Sequence, residues 1–566
     1  MRRLWKIIPQ HYHSRTIWVV ATIFVRAVLN FIGIATLIPV LILILDRNAL
    51  ADNSYVAAAY DIVGADSYTE FVAIVCAAVV GVILAKNGTV MALYNIERNY
   101  IYSLYKHLST ALWLSYRRRG LSFIKHNNSA LLTRNVNVVS LMFVSGVLKP
   151  IATIISETLL FTLIMVAIAW YAPVAALLAV GLFLPVVALF YFAMRRRLHD
   201  IGERENAAQR TKSRIVAESF RGYADIEVGG AFEHMYERFE QAMNEIVDLR
   251  KRNASIGMLP QMFTEVGLAV GLVSLVLLGI GSASDNIEIV FGIFAVAAIR
   301  LVPSIRGIMS SWSTIRHNRH TIDTIADIDI DSDIAIHPVH TDERFHLESK
   351  IEIRDLCFSF ADATEPTIDH LSLTINKGER LGIRGVSGVG KTTLFNLILG
   401  LYRPTSGSIV VDGITLDDSN TARWQNSIGY VSQSVFIADG TLAENIAFGC
   451  KREEIDKERV LQAIEYADLK AFVDTLPDGI DTNIGEQGSR LSGGQRQRIG
   501  IARALYKGCD VLLFDEATSS LDNQTEQNIN QAIERLSAHN ASLTIVVIAH
   551  RTSSMENCDR IITLER

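Results

Sequence analysis

The chain has 566 residues, 50% of them apolar and 20% charged, so it is too long for one ordinary domain and too apolar for a purely soluble protein. Its net charge of −5 and pI near 6.3 exclude a global basic field for nucleic acid. The five cysteines, Cys76, Cys357, Cys450, Cys509 and Cys558, have no CxxC spacing; they read as buried free thiols rather than a zinc or disulfide framework.

The apolar runs fill the first 300 residues, and a soluble composition begins near Lys350. The basic start MRRLWK precedes a run over 17–45 that is too long for a signal-peptide core and lacks a small-residue cleavage site, so it reads as an anchor. Further spans are predicted over 71–93, 151–170, 174–194, 258–280 and 287–302, the last continuing as helix beyond Pro303. Each reaches or nearly reaches the roughly 20 residues a bilayer core requires. The short connections 46–70, 171–173 and 281–288 hold only Arg47 between them, whereas YRRR at Tyr116, MRRRLHD at Met194 and LRKR at Leu249 lie on the other side. The positive-inside rule then makes the amino terminus and the soluble part cytoplasmic. Two polar excursions, 94–150 and 195–257, read as helices projecting tens of ångströms below the bilayer. The expected division is a helical membrane domain over 1–326, a linker over 327–350 and a soluble α/β domain over 351–566, whose motifs, described next, make it a nucleotide-binding domain. Within the linker, DIDIDSD (327–333) reads as solvated chain, since it lacks the glycine and terminal glutamate of a calcium loop.

In the soluble part, GVSGVGKTT (385–393) follows the strand-like RLGIRG and precedes the helix-like LFNLILGL, the context a phosphate loop needs. Backbone N–H groups around Gly385, Ser387, Gly388, Val389 and Gly390, with Thr393 at the helix start, suit phosphate oxygens. Lys391 supplies charge to the outer phosphates of a nucleotide, and Thr392 a hydroxyl for Mg²⁺. Downstream, CDVLLFDE (509–516) reads as a buried parallel strand ending in two carboxylates. Asp515 suits the metal's water shell and Glu516 suits polarising the attacking water.

Just before that strand, LSGGQRQRIGIARAL (491–505) opens a second helix with a second glycine-rich cradle, although one nucleotide needs only one. With this motif the chain resembles the ATP-binding cassette (ABC) transporters over essentially its whole length, and specifically an exporter half-transporter with the helical fold called type IV. The resemblance implies that Ser492, Gly493, Gly494 and Gln495 bind the γ-phosphate of a nucleotide held by a partner's cassette. It also implies a base-stacking role for Phe360, a Q-loop and metal role for Gln433, a GEQG stretch at 485–488, a D-loop SSLD at 519–522 and a switch histidine at His550. Lys391, Gln433, Asp515, Glu516 and His550 are all present, which fits two competent ATP sites in a homodimer or a pair with a related half-transporter. Phenylalanine stands where the family usually has tyrosine, and stacking needs only a ring face. A shortened carboxyl terminus after IITLER and the absence of an amino-terminal peptidase domain are further expectations. The segments LSFIKHNNSALLTRN (121–135) and AESFRGYADIEVGG (217–230) look like the family's coupling elements.

Polar groups recur in the spans: Arg26 and Asn30 in the first, Lys86 in the second, Glu157 in the third, Glu265 in the fifth and Arg300 in the sixth. Such groups face the bundle or an aqueous cavity. Mutual pairing, as of Glu265 with Arg300, and substrate contact both fit, with Arg300, Lys86 and Arg26 the substrate candidates for an anionic headgroup. The pattern AxRLxPS in the sixth span resembles bacterial lipid-linked oligosaccharide flippases, while lipid A-type flippases and multidrug or peptide exporters stay open. An ATP-gated channel or receptor is disfavoured because Glu516 is retained. The resemblance implies an ATP-driven exporter in a bacterial inner membrane.

Overall fold

The structure, a computed structural model, describes residues 2–37, 39–40, 43, 54–171, 173–280, 287–326, 343–360, 363–485, 488–515, 531, 534, 542–549 and 555–565. Several side chains within these segments, including all of 275–300, fall outside the description. The chain divides into two compact units, Met1–Arg119 with Phe123–Ala335, and Gly120–Ser122 with Ile336–Arg566.

The first unit is helical. Its long helices are α1 (Gln10–Ala35), α2 (Tyr68–Arg118), α3 (Lys149–Tyr171), α4 (Pro173–Arg221), α5 (Phe232–Ile280) and α6 (Ile287–His317). Helix α2 begins where Ser67 accepts a hydrogen bond from the Glu70 amide and Glu70 accepts one from the Asp66 amide. This is the sequence signature of a helix start, a serine followed three residues later by glutamate. With 51 residues at about 1.5 Å each, α2 is more than twice as long as a bilayer core is thick, so it must leave the bilayer as a stalk. Among the described residues, α1, α2 and the segment Ser129–Trp170 are long and apolar enough to cross a membrane. The other three expected spans lie within α4, α5 and α6, where many side chains are outside the description. The connection over 46–70 was expected to be plain loop, yet it holds the helix Ser54–Val63.

Both polar excursions are helical and are broken within 121–135 and 217–230, the two segments that resemble coupling elements. The first contains the short helices Gly120–His126 and Ser129–Arg134, the latter capped by the Asn128 side chain accepting from the Ala130 amide. Two π turns, Asn135–Val139 and Val144–Leu148, then lead into α3. The second excursion contains the short helix Tyr223–Val228 between α4 and α5.

Helices α4 and α6 touch through Gly202, where an added Cβ would lie 2.0 Å from the His317 carbonyl oxygen. That closeness brings His317 within 3.2 Å of Glu205, whose other oxygen accepts from Arg250 at 2.8 Å. The hydrogen bond from His317, and then that from Arg250, holds the Glu205 carboxyl below its usual value against the effect of burial. Nearby His320 has neither ring nitrogen hydrogen-bonded and is pushed down to about 4, first by burial and then by the charges of Arg134, His317 and Arg210. Its folded value lies below its unfolded value, so the unfolded chain binds the extra proton first. The stability is complete above pH ~6.5 and is lost as pH falls toward ~4, on the order of 1–2 kcal/mol after discounting for the partly exposed ring. In detergent, the fall in melting temperature between pH 7 and pH 5 is therefore expected to shrink in His320→Gln; an unchanged pH profile counts against this.

The second unit has two sheets. The strands are β1 (Lys350–Phe358), β2 (Ile368–Asn376), β3 (Arg380–Arg384), β4 (Ser406–Val411), β5 (Ile414–Thr415), β6 (Ile428–Val431), β7 (Val511–Asp515), β8 (Thr544–Ile548) and β9 (Arg560–Thr563). An antiparallel sheet runs β2-β1-β4-β5 and a parallel sheet β6-β7-β8-β3-β9. All five residues of β7 are buried, as expected for a parallel strand covered on both faces. One core joins the sheets through Ile351, Ile383, Phe395 and Leu513, and a second gathers around Ile446, Ile464 and Ile501.

Candidate functional site

The phosphate loop links β3 to the helix α7 (Lys391–Ile398), with Gly388 at φ 81° and Gly390 at φ 106°. These are left-handed conformations that favour glycine. At Gly390 a Cβ would in addition lie 2.8 Å from the Thr367 carbonyl oxygen, so the loop presents backbone and no side chain there. Lys391 donates to the loop's own carbonyls, Gly385 O at 2.9 Å and Val386 O at 3.2 Å. An ammonium folded onto a ring of backbone at a helix start fits phosphate oxygens in charge and in position.

Strand β7 lies next but one to β3, and its end brings Asp515 to the loop. The Thr392 hydroxyl donates to Asp515 Oδ1 at 3.1 Å, so two of the three groups expected around Mg²⁺ are brought together. Asp515 is 3% exposed, and its Oδ2 accepts from the Tyr430 hydroxyl at 3.2 Å. Burial, and then the Asp515 charge, push the Tyr430 phenol upward, so it stays a donor. Tyr430 was not foreseen; its only sequence signal is its place in YVSQS, on the strand paired with β7.

Phe360 stands edge-on to Phe358 and Tyr402, with ring centroids at 5.0 and 5.7 Å. Gln433 is exposed, two residues after the end of β6. Helix α8 (Gly493–Lys507) carries the signature at its start. Ser492 accepts from the Gln495 amide and Gln495 accepts from the Ser492 amide, a reciprocal cap that leaves the amides of Gly493 and Gly494 at the open end of a helix dipole. Arg496 fixes the approach by donating to Leu491 O at 3.0 Å. Glu516, the SSLD stretch, His550, the central pair of GEQG and the 327–333 linker lie outside the described residues.

In the membrane unit, Arg26 is paired with Glu97 at 2.5 Å, with side chains 12% and 6% exposed. Lys86 lies across α1, its Nζ 3.4 Å from Asn30 Oδ1 and its stem filling the space over Gly33. Glu157 accepts from Ser304 at 2.6 Å. Glu265 accepts from Gln261 on its own helix at 2.9 Å. Arg300 lies on α6, and its side chain is outside the description.

A family described as "ABC transporter" matches residues 368–519, from β2 through the phosphate loop and the signature. A protein described as "ATP-dependent lipid A-core flippase" from Ralstonia nicotianae is 34% identical over 394 residues, 69% of this chain and 65% of that one. Proteins of the same description from Cupriavidus metallidurans and Francisella tularensis are each 31% identical, over 78% of this chain and 74% and 72% of their own. The solved structure of a bacterial Atm1-family ABC exporter with ATP bound shares the fold, with TM-score 0.73 at 21% identity, covering 98% of this chain and 94% of that one. The chain therefore belongs to the ABC transporter family, with the type IV exporter architecture of a helical membrane domain and an ATP-binding cassette. It is an integral membrane protein, and by class an ATPase that couples hydrolysis to transport.

Proposed function

We propose that two copies of this chain form an ATP-driven flippase for an anionic, lipid A-type amphipathic lipid in a bacterial inner membrane, with the amino terminus and both cassettes cytoplasmic. The domain limits we adopt are 1–326 for the membrane domain, 327–350 for the linker and 351–566 for the cassette. The observation that carries the substrate class is the agreement between relatives described as lipid A-core flippases and cationic groups on the spans, Lys86 beside Asn30 and Arg300 on α6. Arg26 already has a carboxylate partner, so in this reading it serves the scaffold while Lys86 and Arg300 meet the headgroup.

In the cassette, Lys391 and the amides of 385–390 would hold the phosphates, Phe360 would meet the base, and Thr392, Gln433 and Asp515 would hold Mg²⁺. Mg²⁺-bound ATP supplies the phosphoanhydride whose hydrolysis drives the cycle. Glu516 accepts the proton of the attacking water, and His550 and the partner's signature steady the outer phosphate.

Reconstitution into liposomes tests the reading: a lipid A-type lipid is expected to stimulate ATPase activity and to change leaflets with ATP. Arg300→Ala should abolish that stimulation and leave basal hydrolysis, with Arg300→Lys between, because lysine keeps the charge and loses the forked donor. Stimulation by neutral drugs or peptides instead would favour a multidrug or peptide exporter.

A further inference from the structure

We propose that the stalks of the membrane unit contain a second anion site, for a soluble phosphate- or pyrophosphate-bearing ligand, in the cavity walled by Arg134, Arg210 and Arg214. The cavity has a volume of about 190 Å³, and Asn128, Thr211 and Ser213 also line it. None of its lining residues is acidic.

Three guanidiniums line one small cavity, Arg134 partly buried and Arg210 and Arg214 exposed, and an anion between them would relieve their mutual repulsion. Arg134 is half-buried, and its guanidinium donates to the neutral amide of Asn206 at 2.6 Å, which satisfies a donor and cancels no charge. Burial, and then the charge of Arg210, push Arg134 downward. An arginine does not answer by losing its proton. Among the described residues Arg214 pairs with Glu218, 3.8 Å away on its own helix and half exposed, a pair of little weight. The nearby carboxylate of Glu205 is already taken by His317 and Arg250. His320, which feels the charges of Arg134 and Arg210, resists protonation, so it stays neutral and adds no further positive charge.

The neutral wall offers donors. The Asn128 carbonyl is used as a cap for the Ala130 amide, which leaves that side chain's amide hydrogens for another acceptor. Guanidiniums with hydroxyl and amide donors suit a phosphate group, which arginine binds with two parallel hydrogen bonds. Position decides between a free anion and a lipid headgroup. Arg210 lies 16 residues beyond Met194, the expected end of the fourth span, on one continuous helix. At about 1.5 Å per residue that is ~24 Å, well beyond the headgroup layer. The ligand would tie the short helix Ser129–Arg134 to α4, joining the two cytoplasmic excursions.

The test is thermal unfolding of the full chain in neutral detergent, titrated with sodium pyrophosphate against sodium chloride of matched ionic strength. The ATP site would also take pyrophosphate, so the titration is run in the Lys391→Ala background. A saturable rise in melting temperature above the chloride control is expected there. It should be lost in Arg134→Gln/Arg210→Gln, and the milder Arg214→Gln should raise the half-saturating concentration several-fold. Without pyrophosphate at low salt, the double variant should melt no lower than its parent, because a repulsion has been removed. No saturable rise, or a rise that survives the double substitution, overturns the proposal. A further arm uses nanodiscs of phosphatidylcholine with or without phosphatidylglycerol: stabilisation by the anionic lipid that pyrophosphate competes away would overturn the soluble ligand. None of these outcomes depends on which lipid is transported.

Discussion

Glutamine at Glu516 is expected to leave ATP bound and to slow its hydrolysis by about 10² to 10⁴, the range that general-base catalysis supplies. Strand β7 is buried along its length and delivers Asp515 to Thr392 at 3.1 Å, and Glu516 directly follows Asp515 in the sequence. The amide keeps the shape of the carboxylate and cannot accept the water's proton. Lys391→Ala should act differently, because Lys391 lies on the loop's own carbonyls and serves binding rather than proton transfer. A filter assay with labelled ATP separates the two: retention by Glu516→Gln and loss by Lys391→Ala. His550→Ala should also slow turnover. Wild-type rates in both Glu516→Gln and His550→Ala would remove the assigned site.

The two cassette motifs could be read from sequence because each is local. A glycine-rich turn followed by Lys391 and Thr392 needs no knowledge of the rest of the chain, and the apolar run before Asp515 marks a covered strand. The capping of α8 by Ser492 and Gln495 is local too, and it shows that the same residues which suit phosphate also start the helix. What could not be read is what depends on long-range pairing. Tyr430 and Asp515 are 85 residues apart and meet only because β6 and β7 are neighbours. The approach of α4 to α6 at Gly202, which sets the Glu205 and His317 pair, leaves no periodic signal in either segment. The polar residues of the spans were visible singly, and their partners were not: Glu265 turned out to bond Gln261 one turn away, and Arg26 to pair with Glu97 across 71 positions.

That last pair makes the second large prediction. Arg26 and Glu97 are 12% and 6% exposed and 2.5 Å apart, and the guanidinium also lies 5.7 Å from the Tyr94 ring. Removing one member of a buried pair typically costs about 3–5 kcal/mol, because the other charge is left without a partner in a medium that cannot solvate it. Removing both is often close to neutral. Arg26→Met and Glu97→Gln are therefore each expected to lower the melting temperature and the yield from the membrane, and the double variant to recover both. The size of the recovery measures coupling, since residues in contact depart from additivity by 0.5–3 kcal/mol in typical double-mutant cycles. Transport separates scaffold from substrate contact. A scaffold pair restores lipid-stimulated ATPase along with folding, which is the expected result. A double variant that folds normally and hydrolyses ATP at the basal rate, yet no longer responds to lipid, would place Arg26 back among the headgroup contacts with Lys86 and Arg300.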